Sequence, residues 1–312
     1  MAGHLKQMIR FWPGLVAAAL IAVLTLGTLG AVGWRAEGWS GLSAADWAAV
    51  RFTLWQALLS AAISTILAIP VARALARRRF VGRGVLVTLL GAPFILPVIV
   101  AVLGLLAVFG RNGLVSVALG WIGLPPVQIY GLQGVVLAHV FFNLPLATRL
   151  ILQGWMAIPA EQFRLAAALG FSSRDVARVL ERPMLRALLP GVFMVIFVIA
   201  TTSFAVALTL GGGPRATTIE LAIYQAFRFD FDLGRAALLG VVQFGLGAGA
   251  AAVMLWVHVP QARTSGLDRV VRRWDGRGRW LRLCDAGWIV LASGFLLLPL
   301  LMVVTRGAPG LF

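Results

Sequence analysis

The sequence predicts an all-α polytopic membrane protein, and three observations carry that prediction. Of its 312 residues 60% are hydrophobic and 12% charged, and mean hydropathy is +0.93; a soluble domain carries about a quarter charged residues. Seven stretches come near the roughly 20 apolar residues that cross a bilayer core. The net charge of +16, from 27 Lys and Arg against 11 Asp and Glu, is concentrated in alternate segments between those stretches. One cysteine, Cys284, permits no intrachain disulfide or thiolate cluster, and three histidines are too few to replace one. No metal site and no cofactor is expected.

The first span, 14–34, follows Lys6 and Arg10. Its apolar run is longer than the core of a secretory signal and six further spans follow, so it reads as an uncleaved helix. The others run 52–75, 84–110, 131–156, 188–210, 236–258 and 287–305. Pro93 and Pro97 interrupt the third and Pro145 the fourth. Each proline removes a backbone donor and clashes with the preceding turn, so kinks are expected there.

Charge gives the orientation. The N-terminus, 76–83, 157–187 and 259–286, counted with Arg73, hold 19 of the 27 cations, among them Arg77, Arg78, Arg79, Arg83, Arg164, Arg174, Arg178, Arg182 and Arg186. The opposite segments hold seven, and Arg149 lies within the fourth span. Lys and Arg resist translocation, so the richer set is expected in the cytoplasm, with the N-terminus inside a multi-pass inner-membrane protein. The arginines flank spans instead of forming a basic domain with interleaved aromatics, so no nucleic-acid partner is expected; the partner is the lipid membrane.

The proposed spans contain no Asp or Glu. That argues against a proton pump or cation-driven carrier, whose relays use intramembrane carboxylates. Polar residues cluster on the fourth span, where His139 and Asn143 are four apart and share a face. That face either lines a pathway between helices or hydrogen-bonds neighbouring helices, while Arg149 extends toward headgroups. Gly245-Leu246-Gly247-Ala248-Gly249 has no preceding strand or following acidic ribose ligand, so it reads as a small-residue surface for close helix packing. Gly211-Gly212-Gly213-Pro214 lacks the Gly-Lys-Ser/Thr of a phosphate loop, so any ATP must be hydrolysed by a partner.

The segment after the fourth span carries the most information. Pro159 can begin a helix that Glu161 to Ala168 propagates, and Gly170 supplies a turn. Ser172 and Asp175 have capping-box spacing and start a second short helix that Pro183 ends or kinks. The expected result is a helix–turn–helix elbow on the membrane surface. Ala166, Ala167 and Ala168 would allow close approach of another protein.

This elbow resembles the EAA loop of permease subunits in binding-protein-dependent ABC importers, whose motif runs Glu-Ala-Ala, three residues, Gly, nine residues, Ile, one residue, Leu-Pro. Anchored at Gly170, the second motif Ala falls on Ala166, the Ile on Leu180 and the Pro on Pro183. Arg164 stands for the motif Glu, Leu165 for its first Ala and Arg182 for its Leu. Arg164 reverses the sign of any contact that the Glu makes, and Glu161 lies one turn earlier. The segment Thr209 to Ala226 resembles the region after the fifth span in fused two-half permeases, most of all those for thiamine and thiamine pyrophosphate, with iron(III) permeases related. There Thr218 can cap a short amphipathic element, Leu221 to Phe229, that either contacts a delivery protein or is a solvated connector.

The resemblance implies a type I importer fold of six helices plus a seventh. It implies a permease domain over 1–258, an Arg-rich linker over 259–286, and in 287–312 the first helix of a second half, so the chain is expected to be a first half plus the start of a second. A lone native seventh helix is the alternative. The implied partners are an ABC ATPase subunit dimer, a periplasmic substrate-binding protein, and a second permease half or copy. The implied coupling surface comprises Glu161, Arg164, Leu165, Ala166, Ala167, Gly170, Ser172, Arg174, Asp175 and Pro183. Its cargo would be thiamine or thiamine pyrophosphate, with iron(III) or another small solute as alternatives. A polytopic membrane enzyme would need clustered catalytic groups, yet His4, His139 and His258 are dispersed; a scaffold subunit is the other alternative.

Overall fold

The computed structural model of the chain describes residues 2–34, 41–213, 216–256 and 278–307, with Trp274 and Gly276. The arginines at 263, 269, 272, 273 and 277, with most of the expected linker, lie outside the described residues. Thirteen α-helices make up the described fold: α1 Ala2–Trp34, α2 Ala44–Arg77, α3 Arg83–Leu89, α4 Val98–Phe109, α5 Leu114–Trp121, α6 Leu132–Ala157, α7 Ala160–Ala168, α8 Ser173–Val176, α9 Arg182–Thr201, α10 Phe204–Leu210, α11 Ile219–Arg228, α12 Leu233–Trp256 and α13 Arg279–Gly307. Among the described residues six segments are long and apolar enough to cross a membrane, and α1 adds the apolar stretch Trp12–Thr28.

α2 is the axis of the bundle. Ser43 starts it with a full capping box, its Oγ accepting from the Asp46 N–H while the Asp46 carboxylate accepts from the Ser43 N–H at 2.9 Å. Ala57, Ala61, Ala68 and Ala72 are wholly buried along its length. Small side chains let another helix approach closely, which in lipid is the main source of packing energy. α6 takes that position with Phe141, Ile151 and Leu152, and α9 packs beside it.

Two expected spans are broken. The third, expected over 84–110, consists of α3, a 3₁₀ turn at Ala92–Phe94, and α4. Pro93 sits inside that turn and Pro97 is the N-cap of α4, so two prolines four residues apart end one helix and start another, where kinks in one helix were expected. The fifth, expected over 188–210, begins earlier, at Arg182, and stops at Thr202-Ser203 before α10 resumes. Side chains from other elements satisfy the freed backbone: Gln56 Nε2 donates to the Ala200 carbonyl at 2.5 Å, Gln243 Nε2 to that of Thr201 at 3.3 Å, and the Phe204 N–H donates to Glu220 at 2.7 Å. Broken backbone at membrane depth survives where such partners exist. α6 runs without a break through Pro145.

Ion pairs join the helix ends. Arg78, just past α2, binds Asp285 of α13 through Nε at 2.7 Å and Nη2 at 2.6 Å, and its Nη1 donates to the Gly276 carbonyl. At the other end of α2, Asp46 pairs with Arg235 of α12 at 2.8 Å, and Arg235 also reaches Asp230. α13 packs on α4 and α2, while α1 lies against α12. Among the described residues the expectation for Gly245 and Gly249 is not met: a Cβ at either would meet no described atom within 4 Å, and both glycines are exposed.

Candidate functional site

The elbow lies at the end of the bundle that carries Arg73, Arg77 and Arg78. Pro159 is the N-cap of α7, Gly170 turns the chain at φ +71°, and Ser172 with Asp175 forms the expected capping box at the start of α8. A positive φ of that size is cheap only for glycine. Pro183 does not close a separate helix: from α8 the chain passes through a π-helical turn, Ala177–Glu181, straight into α9, where Pro183 sits in the first turn. Within that continuous helix proline removes one backbone donor, and the π turn lies directly before it.

Burial divides the elbow into a root and a crest. Phe163, Ala166 and Val176 are at most 3% exposed and join the main core, with Phe171 packed against it. Ala166 therefore faces its own bundle and is not available to another protein. Glu161, Arg164, Leu165, Ala167, Ala168, Leu169, Gly170, Ser172, Arg174 and Pro183 are exposed, and Asp175 is half-buried. Leu165 and Leu169, each 62% exposed and one turn apart, form an apolar ridge beside Arg164. Exposed leucines flanked by cations on a rigid base make a surface suited to a protein partner.

Behind the crest lies a group that the sequence reading passed over. Glu181 ends the π turn with its side chain 3% exposed. Its Oε2 meets Arg73 Nη2 at 2.5 Å, its Oε1 lies 3.5 Å from Arg77 Nη2, and Trp155 Nε1 donates to Oε1 at 3.3 Å. The signal available in sequence was a lone acid among Arg178, Arg182 and Arg186, which reads equally well as solvated.

His139 and Asn143 are brought together on α6, 4% and 0% exposed. Gln56, Ser60 and Ser64, spaced four apart on α2, are also buried. Several of these polar atoms, including His139 Nε2 and both amide atoms of Asn143, meet no hydrogen-bond partner among the described residues. Buried polar groups are ordinarily satisfied by protein or ordered water. Arg149, on the same helix, lies half-buried, its guanidinium beside Gly91.

At the opposite end a cavity of about 560 Å³ is lined by Phe52, Tyr130, Gly131 and Gly211 to Gly213. The Gly131 N–H donates to the Leu210 carbonyl at 2.8 Å, and Gly212 adopts φ +72° with Tyr130 Cβ only 3.0 Å from where its own would stand. Thr218 caps α11 as expected, its hydroxyl accepting from the Leu221 N–H. Pro214 and Arg215 lie outside the described residues. Among the described residues no group of His, Cys, Asp and Glu is arranged to hold a metal.

Comparison with known proteins gives this geometry a context. No protein-family profile matches the chain. The thiamine transport system permease protein ThiP of Escherichia coli (strain K12) is 44% identical over 316 residues, covering 98% of this chain and 58% of the relative. Its counterpart in Brucella abortus (strain 2308) is 42% identical over 303 residues, covering 94% of this chain and 55% of the relative. The chain is thus homologous to these permeases along nearly its whole length and spans a little over half of theirs. Among solved structures, a bacterial ABC transporter that imports the acidic polysaccharide alginate matches with a TM-score of 0.61 at 18% identity, over 80% of this chain and 95% of that one. A bacterial alginate ABC transporter in complex with an alginate pentasaccharide-bound periplasmic protein matches with a TM-score of 0.63 at 16% identity, over 80% of this chain and 94% of that one. The fold is that of an ABC importer permease.

Proposed function

We propose that the chain is the membrane-spanning part of an ATP-driven importer for thiamine or thiamine pyrophosphate, working with a periplasmic binding protein and separate ATPase subunits. The observation that carries this reading is the elbow: an exposed crest of Leu165, Leu169 and Arg164 on a base pinned by Phe163, Ala166 and Val176. A surface that must receive force needs both features, an accessible contact and a root that does not give way. The cargo follows from the ThiP relatives.

In this reading the basic end faces the cytoplasm with the N-terminus, and ATPase subunits grip the crest there. Their closure on ATP biases the bundle between inward-open and outward-open arrangements, a population shift worked from both membrane faces. The glycine-lined cavity at the opposite end receives the binding protein. The polar seam of His139, Asn143, Ser60 and Ser64 lies on the cargo's path, and a second permease half or copy completes the machine.

The test uses the full-length permease purified with its candidate ATPase and reconstituted in liposomes. ATP-dependent uptake of labelled thiamine, stimulated by a thiamine-binding protein, is the expected result. Uptake without ATP, or turnover of a substrate without any ATPase, would overturn it. The orientation is checked by placing a cysteine at Leu165 in a Cys284→Ser background. Labelling of intact cells by an impermeant maleimide would put the elbow on the wrong side.

A further inference from the structure

The contact between Glu181 and α2 has properties that the rest of the elbow's root lacks. Phe163, Ala166 and Val176 hold the elbow by apolar packing, which lacks directional bonds. Glu181 holds it by an ion pair with Arg73, a longer charge contact with Arg77 and a hydrogen bond from Trp155 Nε1, and so ties the elbow to the last two turns of α2 and the last turn of α6. Taking a carboxylate out of water costs several kcal/mol unless charges and hydrogen bonds replace the lost hydration, and here guanidinium groups and an indole do so.

The π turn explains how the acid reaches that position. Val176 is fully buried and marks the inward face of the elbow. In a continuous α-helix the next residue on that face would be 180, four further on. The turn at Ala177–Glu181 bonds i to i+5, so the residue returned to the inward face is 181. Leu180 is accordingly only half-buried while Glu181 is 2% exposed. The wider, less favourable helical turn thus places a carboxylate toward two arginines.

We infer that Glu181 is the positioning residue that transmits displacement of the elbow to α2 and α6. This rests on the reading of the crest as the ATPase contact. Loss of the bond leaves the crest able to dock but disconnects it from the helices that must move.

The experiment compares Glu181→Gln with the charge exchange Arg73→Glu/Glu181→Arg in the full-length permease–ATPase complex. It reads co-elution of the ATPase, and thiamine delivered per ATP hydrolysed in proteoliposomes. Glu181→Gln is expected to co-elute with the ATPase while thiamine per ATP falls at least about tenfold, and the exchange is expected to recover at least about a third of the wild-type ratio. A wild-type ratio in Glu181→Gln overturns the inference. So does joint loss of co-elution and uptake without recovery in the exchange, which is the mark of a merely structural group. Failure of the wild-type permease to co-elute with an ATPase overturns the docking reading and the inference with it.

Discussion

Substitution of Gly104 tests how α13 is docked on the bundle. Gly104 lies on α4 where the two helices cross. A Cβ built there stands 2.6 Å from the Pro299 carbonyl oxygen, 3.1 Å from the carbonyl carbon and 2.9 Å from Val303 Cγ2. Non-bonded carbon atoms sit best about 3.5–4.0 Å apart, so the helices must part by roughly 1 Å to admit a methyl group. The nearest atom is main chain, so no rotamer change relieves the contact. Overpacking of this kind costs about 1–3 kcal/mol, which is about 5- to 150-fold in the docked population. The readout is cross-linking between cysteines at Phe109 of α4 and Phe295 of α13, whose rings lie 6.1 Å apart between centroids, in a Cys284→Ser background. Gly104→Ala should slow a short bifunctional reagent at least about fivefold, at the lower end of that range, and Gly104→Leu should do more. Gly245→Ala is the control, since its added Cβ meets nothing within 4 Å. Unchanged cross-linking in both Gly104 variants would refute the packing argument.

Three further outcomes follow from the same geometry. Asn143→Leu removes two buried polar atoms that lack partners among the described residues. It should lower uptake while the chain still folds; unchanged uptake would count against a place for this face on the cargo's path. Glu220 has its pKa raised chiefly by burial, against the opposing bond from the Phe204 N–H. An acid whose folded pKa is raised binds its proton more tightly in the native state, so its contribution declines as pH climbs from the ordinary Glu value through the raised one. The difference in stability between wild type and Glu220→Gln should change in that window, and a flat difference would exclude the assignment. Arg164→Glu reverses an exposed charge on the crest. It should weaken ATPase binding by about fivefold at low salt and less at high salt; equal affinity at all salt concentrations would remove Arg164 from the contact.

The parts of the fold legible in sequence are those whose cause is local. α2, α6 and α12 declare themselves by apolar length, and the elbow by Pro159, Gly170 and the Ser172–Asp175 box, each acting within a few residues. The break at Thr202-Ser203 was not legible because its cause is distant: the freed groups are met by Gln56, Gln243 and Glu220, which come from three other helices. Gly245 and Gly249 misled for the converse reason. A small-residue pattern permits close packing but cannot say whether a neighbour stands opposite, and among the described residues none does. Glu181 combines both difficulties, since its burial needs a π turn that no local pattern announces and two arginines a hundred residues earlier.

The distribution of ion pairs makes α2 the strut of the fold. Its 34 residues span about 50 Å at 1.5 Å per residue, longer than a bilayer core is thick. At one end Arg73 and Arg77 bind Glu181 of the elbow, and Arg78 binds Asp285 of α13. At the other, Asp46 binds Arg235 at the head of α12. Between them the buried face is alanine and small polar residues, close-packed on α6, with little slack in which to absorb a displacement. On the proposed reading a push on the elbow would enter α2 through these pairs, close to Pro70, where the helix lacks one backbone donor, while the third and fifth spans are broken at Pro93, Pro97 and Thr202-Ser203. On that reading α2 carries the elbow's displacement along the bundle and its broken neighbours accommodate it by bending.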